Sequence, residues 1–204
     1  LAEGNNRHTG KGPLCGDREA GVTKVVCLLT GDKYPQDYII KLYRGLQKHT
    51  TQPFDFEVIT ETKYPGWWGK MEQFPPKERI ILLDVDLVIT GNVDFLFEYQ
   101  GQFCCWRDPW ADGLNGSVHS IAPGFGESFR KVFDSDPDAF MRRYYSDQEF
   151  LRDYTLPDYW PSDLIKSYKA DSLEDGPRDS RIVVFHGKPK PHEIKTGWVA
   201  EAWQ

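Results

Sequence analysis

Two carboxylates separated by one residue, Asp84 and Asp86, stand inside the most apolar stretch of the chain, Arg79-Ile80-Ile81-Leu82-Leu83-Asp84-Val85-Asp86-Leu87-Val88-Ile89-Thr90. A run so rich in Ile, Leu and Val predicts a strand buried on both faces, and the acids mark where it stops. In extended backbone, residues two apart point to the same side. Both carboxylates would then project together into the crevice at the strand's carboxyl end, where open α/β sheets bind ligands. Left unpaired there they would cost several kcal/mol, and a divalent metal is the simplest partner. A second cluster follows the last apolar run, where Val183-Val184-Phe185 leads into His186-Gly187-Lys188-Pro189-Lys190-Pro191-His192. As a third metal ligand, His186 would add an imidazole nitrogen to an oxygen-rich site and shift its preference from magnesium toward manganese.

Each of these residues also has a plain reading. Asp84 and Asp86 could be a cap and a surface acid, His186 a partly buried ring bonded to a backbone carbonyl, and Lys188 with Lys190 a solvated turn. Lys70 could be an exposed helix charge, and Trp67 and Trp68 fit wall and core. Tyr34 offers a flat apolar face with a polar tip, suited to stacking on a nucleobase or to packing on the helix that follows it. With Tyr34 on the base, Thr30 and Asp32 would hydrogen-bond the base or ribose.

The elements that must position these groups alternate in type. Val22 to Leu29 reads as a buried strand, Thr30 to Pro35 as a strand-to-helix turn, and Gln36 to His49 as a helix with Ile39, Ile40, Leu42, Tyr43 and Leu46 at helical spacing. Phe54 to Ile59 is a second strand, so the chain opens with a βαβ unit and a parallel sheet. A loop holding Gly66-Trp67-Trp68-Gly69-Lys70 and a short helix precede the strand with the paired acids. Beyond it, Gln102 to Trp106 and Ser117 to Ala122 read as strands flanking an irregular loop from Arg107 to Gly116. Helices are expected over Gly126 to Phe133, Pro137 to Tyr145 and Asp147 to Asp153, and a last buried strand over Arg181 to Phe185. Leu1 to Gly21, rich in Gly, Asn and charge, reads as a loose tail, leaving residues 22–204 as one domain.

Composition narrows the class. A chain of 204 residues, 39% hydrophobic, can bury one good core, and a net charge of -6 argues against nucleic acid or an anionic membrane as the main partner. No apolar run approaches the roughly 18 residues that a transmembrane segment needs, and no signal peptide is recognised. Cys15, Cys27, Cys104 and Cys105 show no metal-type spacing and read as reduced thiols, which makes a cytoplasmic protein the expectation.

Four pieces then occur in a familiar order: Thr30-Gly31-Asp32-Lys33-Tyr34, Asp84-Val85-Asp86, Asp108 with Asn115-Gly116-Ser117, and Asp147-Gln148 ahead of the strand leading to His186. From about Val22 to about Pro191 the chain resembles nucleotide-sugar glycosyltransferases of the GT-A fold, most of all the retaining glycosyltransferase family 8 group that includes glycogenin and bacterial galactosyltransferases. The resemblance implies an α/β, Rossmann-like fold with a mixed central sheet flanked by helices. It implies transfer of a sugar from a nucleoside diphosphate sugar, a UDP-sugar by expectation, to an acceptor hydroxyl with retention of configuration. Manganese or magnesium would be held by Asp84, Asp86 and His186 and would act as a Lewis acid on the leaving diphosphate. Lys70 would contact the donor, Gly187, Lys188 and Lys190 would lie along the diphosphate, and Asp108 with Asn115 would grip the donor sugar. Asp147 and Gln148 would face the anomeric carbon.

Two departures from the family stand out. It usually shows Asn-Ser-Gly where this chain has Asn115-Gly116-Ser117. Its final motif spaces His from Gly by two residues, whereas Gly187 follows His186 directly, with Lys190 in the Lys place and His192 in the Trp place. The acceptor stays open among glycan, lipid, protein and small molecule. Two other functions fit part of the pattern: a haloacid-dehalogenase-like phosphatase with Asp84 as nucleophile, and a catalytically silent nucleotide-sugar-binding protein.

Overall fold

The opening βαβ unit forms as its pattern dictates. Strand β1 (Thr23–Leu28) alternates Val25 and Cys27 toward one face with Val26 toward the other, and both sets are buried. Helix α1 (Asp37–His49) buries Tyr38, Leu42 and Leu46 along one stripe, with Asp37 in its first turn and Lys48 and His49 in its last, as the helix dipole favours. Strand β2 (Phe54–Ile59) returns parallel to β1, and β3 (Ile80–Leu83) pairs parallel on the other side of β1, Val26 opposite Leu82. These elements belong to a computed structural model that describes residues 22–204; the tail expected over residues 1–21, with Cys15, lies outside the described residues.

The sheet then turns antiparallel. Strand β6 (Leu114–Ile121) pairs with β3, β5 (Phe103–Arg107) pairs with β6, and the short β7 (Asp158–Tyr159) closes the order β2-β1-β3-β6-β5-β7. One face packs on α1. The other carries Ile80, Leu82, Phe103, Cys105 and Ile121 against Trp68, Met71 and Phe74 and against Phe129, Phe133 and Phe150 from α3 (Glu127–Ser135) and α5 (Asp147–Tyr154). Between those two helices lies α4 (Pro137–Arg143). A central sheet covered by helices on both faces matches the expected α/β architecture.

The stretch from Arg79 to Thr90 is not one strand. It breaks at Asp84-Val85-Asp86, and β4 (Leu87–Ile89) leaves the large sheet for a smaller one, ordered β4-β9-β8, with β8 (Ile165–Ser167) and β9 (Ile182–Val184). The two acids therefore occupy a crossing between sheets rather than alternate positions of a single strand. Asp84 N–H donates to Ser117 O at 2.9 Å on the large-sheet side, and Asp86 O accepts from Phe185 N at 3.1 Å on the small-sheet side. Val85 is buried between them. Because both strands are buried, apolar periodicity could not reveal the change of sheet.

Smaller differences have similar causes. Gly66 to Lys70, expected as loop, lies within a 3-10 helix, Gly66–Gln73, that buries Trp68, Lys70 and Met71. Strand β6 starts at Leu114, so Asn115 and Gly116 are strand residues, and the pairing with β5 shifts register between Cys105 and Trp106. Helices α2 (Phe95–Glu98) and α6 (Gly197–Ala202), and strands β7 and β8, are too short to have shown a period. Cys27, Cys104 and Cys105 are buried free thiols. Among the described residues, no helix is long and apolar enough to cross a membrane.

Candidate active site

The crossing at Asp84-Val85-Asp86 is the floor of a crevice, and each of its acids is matched to a lysine from a different part of the chain. Lys70, only 7% exposed, is carried by the 3-10 helix; its Nζ lies 2.5 Å from Asp84 Oδ1 and 2.7 Å from Gly116 O. Burial disfavours charge on Lys70, but Asp84 and Asp147 outweigh it and raise the pKa. Burial works against Asp84 in the same way, and Lys70, with help from Ser117, holds its carboxyl below the usual range. Lys190 plays the matching part for Asp86, with Nζ 2.5 Å from Asp86 Oδ2 and 2.7 Å from Phe185 O. Lys190, not Lys188, thus reaches the floor. Lys188 is exposed and stands 3.6 Å from Glu193, while Gly187, at φ 66°, turns the chain just ahead of it.

Tyr34, expected to stack on the base, is tied to this floor. Its hydroxyl donates to Asp86 Oδ2 at 2.7 Å, and its ring leans on Tyr38. Burial first, then Asp86, pushes the phenol's pKa far up, so it remains a donor. A cavity of about 530 Å³ does open at the carboxyl ends of β1 and β2, lined by Thr30, Gly31, Thr60, Glu61, Thr62 and Gly66 among others. Of the residues expected around the base, Thr30 lines this cavity, and Asp32 and Tyr34 do not. The larger cavity, about 1000 Å³ beside Phe125, Glu127 and Arg152, holds none of the expected site residues.

The expected sugar-gripping residues do come together. Asp108 Oδ2 accepts from Asn115 Nδ2 at 3.0 Å and from Gln148 Nε2 at 2.9 Å, while its Oδ1 accepts from the backbone of Trp110 and Ala111. Burial would raise the Asp108 pKa, and these donors together lower it. Gln148 Oε1 in turn accepts from Gly116 N at 3.0 Å. A Cβ on Gly116 would stand 3.4 Å from Lys70 Nζ, 3.7 Å from Asp147 Oδ2 and 3.8 Å from Gln148 Oε1, so this glycine marks where the three side chains converge.

Asp147 is the exception to the pattern of paired charge. It opens α5, yet the cap is Ser146, whose Oγ accepts from Glu149 N. That leaves Asp147 without a capping role. It is 3% exposed and, among the described residues, its Oδ2 has no hydrogen-bond partner. Burial, opposed by Lys70 and assisted by Asp84, pushes its carboxyl up to about 6.

The metal expectation is not met by this arrangement. Among the described residues, no three His, Cys, Asp or Glu side chains form a group that could hold a metal ion. Asp84 and Asp86 are engaged by lysines. His186 Nε2 lies 2.9 Å from Ser167 Oγ, with the ring stacked on Trp106 and edge-on to Trp110. Burial, countered by Asp108 and Asp86, lowers the His186 pKa. Ser167, Trp106 and Trp110 were not singled out in the sequence; no spacing signal could have tied them to a histidine beyond position 180.

Solved structures place this geometry in context. The glycosyltransferase GlyE of Streptococcus pneumoniae superposes with a TM-score of 0.63 at 16% identity, over 89% of this chain and 59% of that one. Galactosyltransferase LgtC, crystallised with donor and acceptor sugar analogues, superposes with a TM-score of 0.61 at 13% identity, over 89% of this chain and 94% of that one. The chain has the GT-A fold. A glycosyltransferase involved in glycosylation of the major capsid of PBCV-1 shares it, with a TM-score of 0.57 at 14% identity over 82% of this chain and 94% of that one. This GT-A chain spans about three fifths of the length of GlyE. No protein-family model and no curated protein matches its sequence. Nothing in these neighbours favours a phosphatase, and Asp84, the nucleophile that reading requires, is held by Lys70.

Proposed function

We propose that this GT-A protein transfers a glycosyl group from a nucleoside diphosphate sugar, with UDP as the expected nucleotide, to an acceptor hydroxyl with retention of configuration. The observation that carries this reading is the pair of lysines at the floor, each resting on one acid of Asp84-Val85-Asp86. When the anomeric bond breaks, negative charge grows on the departing diphosphate, and groups that stabilise that charge lower the barrier. Lys70 and Lys190 supply two ammonium groups for this purpose in a crevice screened from bulk water. The base and ribose fit the cavity beside Thr30 and Gly31, and Asp108, Asn115 and Gln148 form a polar grip for the sugar's hydroxyls.

Retention calls for two inversions or an attack on the face the diphosphate leaves. In the two-step form, Asp147 Oδ2 bonds to the anomeric carbon as the bond to the diphosphate oxygen breaks and that oxygen keeps the electron pair. The acceptor oxygen then displaces Asp147, and the hydroxyl proton passes to the released diphosphate. An unpartnered Oδ2 beside Gly116 supports this role. No step runs through a metal, since Asp84, Asp86 and His186 as arranged do not fit one.

A thermal-shift titration tests the donor assignment. UDP, UDP-glucose and UDP-galactose in EDTA are expected to raise the melting temperature through mass action, because the two ammonium groups already stand at the floor. No shift with any of the three would refute the assignment; a shift that appears only with manganese would return the charge role to a metal.

A further inference from the structure

Two large aromatic rings stand in solvent, packed on each other rather than into the core. Trp67 is 45% exposed and Tyr145 is 76% exposed, and their ring centroids lie 5.7 Å apart at 35°. The neighbouring Trp68, by contrast, is buried and stacked on Phe133, so Trp67 is not the member of the pair that holds the helix down. Exposing so much apolar surface forgoes about 25 cal/mol for each Å² that could have been buried, which points to a ligand rather than to the core.

Their places in the chain tie both rings to the reacting groups. Trp67 and Lys70 are three residues apart in a 3-10 helix, where such positions eclipse, so the ring stands one turn above the ammonium. Tyr145 is two residues before Asp147, next to the Ser146 cap, and its backbone N–H donates to Glu149 Oε2 at 2.8 Å. Lys70 and Asp147 converge on Gly116, so the two rings are carried by the same short segments that bring those reacting groups together.

We propose that Trp67 and Tyr145 form the acceptor subsite and that the acceptor is a carbohydrate. A pyranose ring presents a C–H-rich face that lies flat on an aromatic ring, while its hydroxyls remain free for polar neighbours. The patch suits that occupant: it is two rings wide, too small to shelter an acyl chain, and the Glu149 carboxylate, which accepts from the Tyr145 backbone, supplies a polar neighbour beside the Tyr145 hydroxyl. A sugar resting there would direct a hydroxyl toward the anomeric carbon. In the transfer, the acceptor oxygen keeps its own C–O bond and bonds to the anomeric carbon as the bond from that anomeric carbon to Asp147 Oδ2 breaks, and the hydroxyl proton passes to the released diphosphate. This assignment deepens the donor reading above and rests on it for the direction of the transfer.

The test uses the whole chain, with Trp67→Ala and Tyr145→Ala separately and together, and reads two ligands. Saturation-transfer NMR with lactose, maltose and cellobiose reports the acceptor side, and calorimetry with UDP reports the donor side. Wild-type protein is expected to transfer saturation to the ring protons of at least one disaccharide, and the double variant to lose at least tenfold of that signal while keeping its UDP affinity and melting temperature. Equal signal from wild type and double variant, or no signal from any of the three disaccharides with wild type, would overturn the proposal. Because the disaccharide signal is read without UDP, failure of UDP binding alone counts against the donor reading and not against the subsite.

Discussion

The crevice floor and the start of α5 treat buried carboxylates in opposite ways. On the floor, Asp84 and Asp86 are each met by a lysine, and Asp86 also by the Tyr34 hydroxyl. At α5, Asp147 is 3% exposed, yet among the described residues its Oδ2 has no partner, and its pKa is pushed up to about 6. Compensated pairs of this kind hold the crossing between the two sheets in one geometry and keep cations in place for an incoming anion. An uncompensated carboxylate lowers stability, and a chain that keeps one next to a lysine and a glycine clearing gains something other than stability from it. Under the proposed function the contrast divides the labour: the floor would receive the diphosphate, and Asp147 would address the sugar.

The sharpest way to break the contrast is to remove a floor lysine. Lys70→Met leaves Asp84 without its cation and should cost roughly 3 kcal/mol of stability, the low end for a broken buried pair because Asp84 is partly exposed. In a chain of this size that is about 6–12 °C in melting temperature, read by differential scanning calorimetry. A loss under a degree would mean that the pair is not holding the crossing.

The pH dependence of stability addresses the other side. Asp147 keeps its proton to about pH 6 in the folded chain, whereas unfolded aspartate releases it near 4. Between those values the folded state binds more protons, so stability falls as pH rises through this window, by on the order of 3 kcal/mol, and stays low above it. Asp147→Asn should therefore raise the melting temperature at pH 7 and leave it unchanged at pH 4. Identical profiles for both proteins would show that Asp147 is compensated after all.

Two smaller effects sharpen the floor. Lys190→Met removes one ammonium from the crevice and should weaken UDP binding about tenfold, or ~1.4 kcal/mol, by calorimetry. Tyr34→Phe deletes a hydrogen bond to Asp86 and should lower stability by about 1 kcal/mol in urea unfolding, whereas a base-stacking ring would lose nothing to that change.

The sequence made the first half of the fold legible because β1, α1 and β2 each carry a full period of buried residues. It hid the crossing, because Val85 continues the apolar run straight through the change of sheet. The polar cluster of Asp108, Asn115 and Gln148 was legible only through motif order, and its closeness depends on a register shift between Cys105 and Trp106 that no residue type announces. The metal set failed for a different reason. Spacing shows which acids share a place, but not that Lys70 and Lys190, 14 and 104 positions away from their respective acids, reach them. The open state of Asp147 was likewise hidden, since Ser146 takes over the cap that Asp147 could have made.

The division of labour comes to one measurement: single-turnover release of UDP from a bound UDP-sugar by wild type and Asp147→Asn, with UDP affinity measured on the same samples. If Asp147 acts on the anomeric carbon while the lysines hold the diphosphate, the rate falls at least about a thousandfold and the affinity stays within about twofold. Full activity in the variant, or affinity lost in step with rate, would contradict it.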